Sequence, residues 1–406
     1  MKEIIEQFNL DPLRNKVVLV NPSQYSHVQI KKEYTQFVPP ISSMTVSANL
    51  ESRGYQTEIF DMRISSQEEL EFYLKENQSD IAFVGLTVFV GAYISASREI
   101  TKLAKKYDLK VVWGGPLPDV FPESCLKECD AVSGAMNYEH ALDWSKVGMN
   151  KIQEPFLAYL FTSMGCPYRC TFCYLQSEKK KTYFRTAESV ISEMDILNKD
   201  YGISEFQIGD DNFFTNKPRS IEILNTMREK GYTISKVIGA QNDFTPPIVE
   251  AMSGIVKTVI FSIESASQRI IKRIKKPVKL EKVQALNELL SSHNISIINN
   301  IIIGWPFEEQ EDRDKILPLF KSMKESIPDF RGIVYVYTSL PKTPLTYEVE
   351  EKYGKFPEDL DFWDDCEFEA NEATLKYRPW LTMEMQEKLC DEAAAINKIY
   401  NISKNR

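Results

Sequence analysis

Three cysteines stand within eight residues, Cys166, Cys170 and Cys173, in the order Cys-x-x-x-Cys-x-x-Cys. They follow an apolar, aromatic run, Phe156 to Phe161, that reads as a strand. A loop leaving a strand end can fold back and aim three thiolates at one point. Soft thiolates select iron–sulfur clusters, zinc or Cu(I). A cubane cluster has four irons and usually takes four cysteines. A local count of three leaves one iron open to the amino and carboxylate groups of a small molecule. Structural zinc wants four closed ligands. The histidines His27, His140 and His293 and the remaining cysteines, Cys125, Cys129, Cys366 and Cys390, all lie far away in sequence.

Other chemistry-bearing residues follow in order. Gly209-Asp210-Asp211-Asn212 ends an apolar run, and clustered carboxylates at a strand end are costly unless they bind something. The plainer reading is a turn with an exposed acidic pair. Gln241-Asn242-Asp243 ends the next run. In Phe261-Ser262-Ile263-Glu264-Ser265 the two-residue period of a strand puts Ser262 and Glu264 on one face. Gly304-Trp305-Pro306 closes a further run, where Gly and Pro also suit a simple turn.

These residues need a scaffold, and the pattern supplies one. Strand candidates at 156–164, 205–210, 236–241, 258–265, 296–304 and 331–340 alternate with helical patterns at 186–200, 217–230, 247–252, 267–274, 280–293 and 310–326. Six strand–helix units predict an incomplete parallel barrel, and such barrels carry their chemistry on loops at the strand carboxyl ends. Before it, short Val/Ile/Leu runs at 16–22, 56–62, 81–87, 110–116 and 130–134 alternate with helices at 41–53, 66–76, 95–108 and 122–129. That is the pattern of a buried parallel sheet, doubly wound. Ligands bind beyond its strand carboxyl ends, which here carry Asn21, Asp61, Gly85-Leu86-Thr87 and Gly114-Gly115-Pro116. The domains expected are 1–150, 151–345 and a small, mainly helical segment 346–406 that caps the barrel. Tyr337, Trp363 and Trp380 are candidates for its pocket.

The cysteine stretch resembles the cluster loop of radical S-adenosylmethionine (SAM) enzymes, down to Phe172 before the last cysteine. The Asp-Asp-x-Phe segment at 210–213, the Ser-x-Glu-Ser segment at 262–265 and the Gly-x-Pro segment at 304–306 resemble that family in order and spacing. The first domain resembles the Rossmann-like cobalamin-binding domain that precedes many of these enzymes. It lacks the Asp-x-His-x-x-Gly motif, and Gly134 to Glu139 departs from the family's acidic turn. The resemblance implies a 4Fe–4S cluster on Cys166, Cys170 and Cys173. It implies SAM contacts at Phe172, Gly209, Asp210, Gln241, Ser262, Glu264, Gly304 and Pro306, with Tyr174 packed beside the cluster. Cobalamin would lie by Gly85, Thr87, Gly114 and Gly115. The activity implied is methylation of an unactivated carbon through a 5′-deoxyadenosyl radical and methylcobalamin. Alternatives are a non-methylating radical rearrangement or cyclisation with or without cobalamin, a non-catalytic iron–sulfur sensor, and a zinc module. The basic run Ser267 to Pro277 matches the family's helix and is expected to form a solvated face.

Composition narrows the partners. Hydrophobic content of 43% and 26% charge over 406 residues are ordinary for a globular chain of two or three domains. A net charge of −9 argues against broad nucleic-acid binding. Neither a membrane span nor a signal-peptide core is visible. Seven cysteines, three of them clustered, favour a reducing compartment, so a cytoplasmic location is expected. The partners expected are a peptide or small-molecule substrate and an electron donor such as a flavodoxin or ferredoxin.

Overall fold

The computed structural model describes residues 14–22, 39–134, 142–147, 158–176, 182–366 and 372–401. The chain splits into two compact units, Met1–Leu157 with Phe356–Cys366, and Ala158–Lys355 with Glu367–Arg406.

In the first unit β1 (Lys16–Asn21), β2 (Gln56–Asp61), β3 (Ile81–Thr87), β4 (Val111–Gly114) and β5 (Ala131–Ser133) form one parallel sheet in the order β2-β1-β3-β4-β5. Strand β3 is Ile-Ala-Phe-Val-Gly-Leu-Thr and nearly all buried, as a strand covered on both faces must be. Helices α1 (Ile41–Glu51), α2 (Gln67–Asn77) and α3 (Tyr93–Lys106) supply the cover. Ser66 and Glu69 start α2 with a reciprocal capping box. A short helix at Pro116–Val120 was not legible in the sequence. Gly115 adopts φ +96° before it and Pro116 opens its first turn, where proline brings no N–H that would need a partner. The strand order places a topological switch point between β1 and β3.

Residues 356–366 belong to this first unit, although they lie far along the chain in the expected capping segment. Trp363 is fully buried there, 5.8 Å from Phe121 and 5.2 Å from Phe362 between ring centroids. Its carbonyl accepts from the Gly91 N–H at 2.8 Å, and Arg98 bonds Asp361 at 2.5 Å. Trp363 is therefore a core residue of the first unit.

The second unit is a six-stranded parallel sheet in the order β13-β12-β11-β10-β9-β6, an incomplete (βα)6 barrel. Its strands are β6 (Ala158–Leu160), β9 (Glu205–Ile208), β10 (Thr233–Ile238), β11 (Thr258–Ile260), β12 (Ser296–Ile303) and β13 (Arg331–Val336). The first expected strand breaks in two. After Leu160 the chain turns away, and β7 (Ser163–Met164) pairs antiparallel with β8 (Tyr183–Phe184). That ribbon closes the base of the cysteine loop.

Strand β13 is an edge, and edges expose unpaired backbone groups. The Asn397 side chain covers this one. It accepts from the Val334 N–H at 2.7 Å and donates to the Val334 carbonyl at 2.9 Å, a side-chain amide acting as one residue of a neighbouring strand. Asn397 stands on the last helix, Met383–Tyr400. Among the described residues no helix is long and apolar enough to cross a membrane. Asn397→Ala is expected to lower unfolding free energy by about 1–2 kcal/mol, read by urea denaturation, because both edge groups return to water.

Candidate active site

The cysteine loop leaves β6 through Thr162 and Ser163, and its geometry is set by Asp210 at the end of the neighbouring strand β9. Asp210 is completely buried. One carboxylate oxygen accepts from the Thr162 N–H at 2.6 Å, and the other from the Thr162 hydroxyl at 2.5 Å and the Ser163 hydroxyl at 2.6 Å. Burial pushes the carboxyl pKa up and these bonds pull it down, with burial prevailing. Two arginines brace the same corner from behind. Arg219 donates to the Thr162 carbonyl at 2.7 Å and to the Arg185 carbonyl. Arg185 donates to the Phe161 carbonyl at 3.0 Å while paired to buried Glu193 at 2.5 Å.

Further contacts pin the loop along its length. Gly165, at φ +82°, donates its N–H to Asp211 at 2.9 Å. The Tyr168 hydroxyl donates to Asp243 at 2.9 Å, and Asn212 donates to the other Asp243 oxygen at 2.6 Å. Thr171 donates its N–H to the Ile274 carbonyl and accepts from the Leu345 N–H. Phe172 packs edge-on against Trp305, 5.2 Å between centroids, and Trp305 stacks on Tyr337 at 4.6 Å. Trp380 extends the stack at 5.7 Å from Tyr337 and donates to the Gly304 carbonyl at 3.0 Å.

Cys170 is buried, and Cys166 and Cys173 are half-buried. Burial raises the pKa of Cys166 and Cys173 and pushes Cys170 up to about 12, and the Cys173 sulfur adds to the rise at Cys166 and Cys170. A bare thiolate is disfavoured there, so the ionised form needs a cation or metal beside it. One cation is present. Lys276 bonds Glu264 at 2.7 Å, with side chains 16% and 8% exposed. Burial alone would lower the lysine pKa. The Glu264 carboxylate, with Cys170 and Cys173 beside it, holds it above the ordinary lysine value. Sequence reading assigned this basic run to solvent. Lys276 departs from that because the chain reverses at Lys275, at φ +54°, and turns the next side chain inward. Among the described residues no three His, Cys, Asp or Glu side chains converge on a single ion. A cubane gives each cysteine its own iron, so the trio fits a cluster without meeting at one atom.

The remaining candidates divide. Glu264 sits at φ +64° beside Ile301 of β12, its side chain turned to Lys276. Ser262 accepts from Asn300 at 3.3 Å. Gly304, at φ +80°, donates its N–H to Glu308 at 2.6 Å, and Pro306 is half-buried in the turn that follows. A Cβ at Gly209 would lie 2.1 Å from the Tyr159 ring, so packing explains that glycine. Gln241 is a clamp, donating to the Lys279 carbonyl at 3.0 Å and accepting its N–H at 2.7 Å. Asp210 and Gln241 thus have their polar atoms engaged within the fold. Tyr174 opens a short 3₁₀ turn directly after Cys173.

In the first unit, Thr87 pairs with Gly114 across the carboxyl ends of β3 and β4. Gly115 packs so closely on that end that a Cβ would lie 3.2 Å from the Val88 backbone. Gly85 is different. It faces Leu19 inside the sheet, where a Cβ would lie 2.9 Å from the leucine methyl, and it stands short of the strand end. Gly134 ends the described part of its turn, and 135–139 lie outside the described residues.

Comparison with known proteins matches this arrangement. Residues 160–320 match the radical SAM superfamily and residues 30–140 the B12 binding domain. The chain carries a radical SAM domain with a B12-binding domain ahead of it. An uncharacterized methyltransferase of Pyrococcus horikoshii is 27% identical over 81% of this chain and 82% of its own length. The cytidylyl-2-hydroxyethylphosphonate methyltransferase of Streptomyces wedmorensis is 33% identical over 43% of this chain and 36% of its own. Among solved structures, the radical SAM methyltransferase TsrM from Kitasatospora setae, with tryptophan and a SAM analogue bound, superposes with a TM-score of 0.68. It has 16% identity and covers 83% of this chain and 76% of its own. The cobalamin-dependent radical enzyme OxsB, with aqua-cobalamin and SAM bound, superposes at 0.67 with 16% identity, over 88% of this chain and 64% of its own. At that identity both likenesses are of fold.

Two outcomes test the electrostatics of this radical SAM site. Lys276→Met leaves the Glu264 carboxylate buried and unpaired, so unfolding free energy should fall by about 3 kcal/mol. Adding Glu264→Gln should restore much of that loss, and urea titration reads both. Burial pushes Glu308 up to about 7, prevailing over the Gly304 N–H and over Arg313 at 3.3 Å. Between about pH 4.5, the unfolded value, and about pH 7 the folded state holds a proton that the unfolded state has lost. Raising the pH through that window therefore costs stability, and Glu308→Gln should show a flatter dependence in urea midpoints.

Proposed function

We propose that this chain is a cobalamin-dependent radical SAM enzyme that methylates an unactivated carbon of a small-molecule or peptide substrate. The observation that carries the reading is the trio Cys166, Cys170 and Cys173, each within the influence of the Lys276 charge, in a chain whose B12-binding domain precedes its radical SAM domain. A methyltransferase relative aligned over most of both chains supports the choice of reaction.

Cys166, Cys170 and Cys173 would hold a 4Fe–4S cluster. With SAM and cobalamin bound, these groups supply a 5′-deoxyadenosyl radical and a transferable methyl group. The protein's part is positional. Asp210 fixes where the cysteine loop leaves the barrel. Lys276 offsets negative charge on the sulfurs and turns Glu264 toward them. Phe172, half-buried and backed edge-on by the buried Trp305, offers aromatic surface against which an adenine can pack. Ser262 and the backbone around Gly304 and Pro306 offer polar edges at the ends of adjacent strands. In the first unit Thr87, Gly114 and Gly115 lie at strand ends beside the switch point, where cobalamin would be bordered. An electron donor such as a flavodoxin or ferredoxin completes the system.

Anaerobic reconstitution with iron and sulfide tests the reading. Brown protein, reduced in the presence of SAM, should release 5′-deoxyadenosine, and Cys170→Ala should abolish both colour and release. Cobalamin should co-purify, and label from the SAM methyl group should reach it. Colourless protein holding a single zinc would sink the enzyme reading. Deoxyadenosine release with no cobalamin uptake would sink the methylation step alone.

A further inference from the structure

Two cations inside the second unit take no part in the contacts described so far. Lys236 stands on β10 and Arg331 opens β13. Both face away from the helical layer, toward the inside of the incomplete barrel. On β13, a Cβ at Gly332 would lie 2.3 Å from the Phe320 ring on helix Ile316–Ser326, so Gly332 faces the helices. The two-residue period of the strand sends Arg331, Ile333 and Tyr335 the other way. Register carries the same face to β10: Arg331 pairs with Ile298, Ile298 with Ile260 and Ile260 with Ile238, so Ile238 and, two residues back, Lys236 share the side of Arg331. The neighbours of Lys236 across the sheet are Gln207 and then Tyr159, which line up in register.

Both cations are half-buried, and among the described residues neither makes a hydrogen bond or an ion pair. Burial lowers the pKa of each, and the nearby Arg331 charge lowers Lys236 further. A half-buried cation with no acid partner is stabilised by an anion that joins it. Glu264, a carboxylate on the same inner face, is already committed to Lys276. Two further groups on this face are orphaned. The side-chain oxygens Gln207 Oε1 and Asn300 Oδ1 are buried with no partner. An inner face that offers two free cations and two free acceptors is complementary to an oxyanion flanked by hydroxyl or amino donors.

We propose that Lys236 and Arg331 form the floor of the substrate site and bind a doubly negative phosphoryl group. This rests on the reading that the barrel mouth is where reaction occurs, and it adds the substrate class. Two cations match a dianion better than a single carboxylate, which would leave one positive charge uncompensated. Lys236 lies two residues below the end of β10 and Arg331 five below the end of β13, or roughly 7–17 Å at the rise of a strand. The substrate is therefore long enough to seat its phosphoryl group deep while presenting a carbon at the mouth.

Titration of the whole protein with inorganic phosphate at pH 8, followed by phosphorus NMR line broadening, tests this without turnover. Acetate, followed by its own proton signal, is the comparison. Phosphate should saturate, acetate should bind at least about tenfold more weakly, and Lys236→Gln or Arg331→Gln should each weaken phosphate by about tenfold or more. Lys236→Arg, which keeps the charge, should retain most of the affinity. Thermal unfolding confirms that the variants compared are folded. Absence of saturation in the wild-type protein, equal binding of acetate, or unchanged phosphate affinity in either folded glutamine variant overturns the proposal. Wild-type protein that binds phosphate in this way but never cleaves SAM would defeat the radical-enzyme reading and leave the floor standing.

Discussion

A carboxylate with no access to water holds this site together. Asp210 gives up its hydration for three donors, all from Thr162 and Ser163. Those two residues are the hinge between the first barrel strand and the cysteine loop. The interaction is local in space and distant in sequence, and it makes the loop's exit angle a property of the barrel. Arg185 and Arg219 add positive charge behind the same peptide groups, which stiffens the corner from the opposite side. A cluster loop hung from such a corner has little freedom to swing. Three thiols that are to hold one cluster, as proposed, would need that restraint.

Electrostatics around the thiols follow from the same dryness. Burial that would keep the cysteines protonated also makes a nearby charge count for more. Lys276 supplies it and is itself kept ionised by Glu264. Glu264 is held at a positive φ by bonds to β12 on both sides, Asn300 through its N–H and Ile302 through its carbonyl. Strain at that residue places the carboxylate where a regular strand would not. The barrel thus delivers one buried ion pair to the thiols, and among the described residues two other cations of its inner face have no acid partner.

The second unit's edge and the first unit's core are completed by chain that comes from far away. Asn397 substitutes for a missing strand residue on β13, and Trp363 returns to fill the first unit against Phe121 and Phe362. Neither contact leaves a periodic trace. An asparagine in a helix and a tryptophan in a polar stretch look alike whether they serve a pocket, a core or an edge. Tyr337 and Trp380, considered with Trp363 as pocket residues, stack in a row with Trp305 and Phe172.

The sequence by itself determined the order of strands and helices, the two α/β domains and the cysteine trio. Hydrophobic period and residue spacing are carried by near neighbours, so they can be read from the chain. Only the tertiary structure decided what each polar side chain does. Asp210 turned to the corner beneath the cysteines, Gln241 became a clamp on Lys279, Gly85 made room for Leu19, and Lys276 left the solvent for Glu264. The first strand broke at Thr162 because a carboxylate from the next strand captured it. Partners for a buried charge are chosen by proximity in space across tens of residues, and no local pattern encodes that choice.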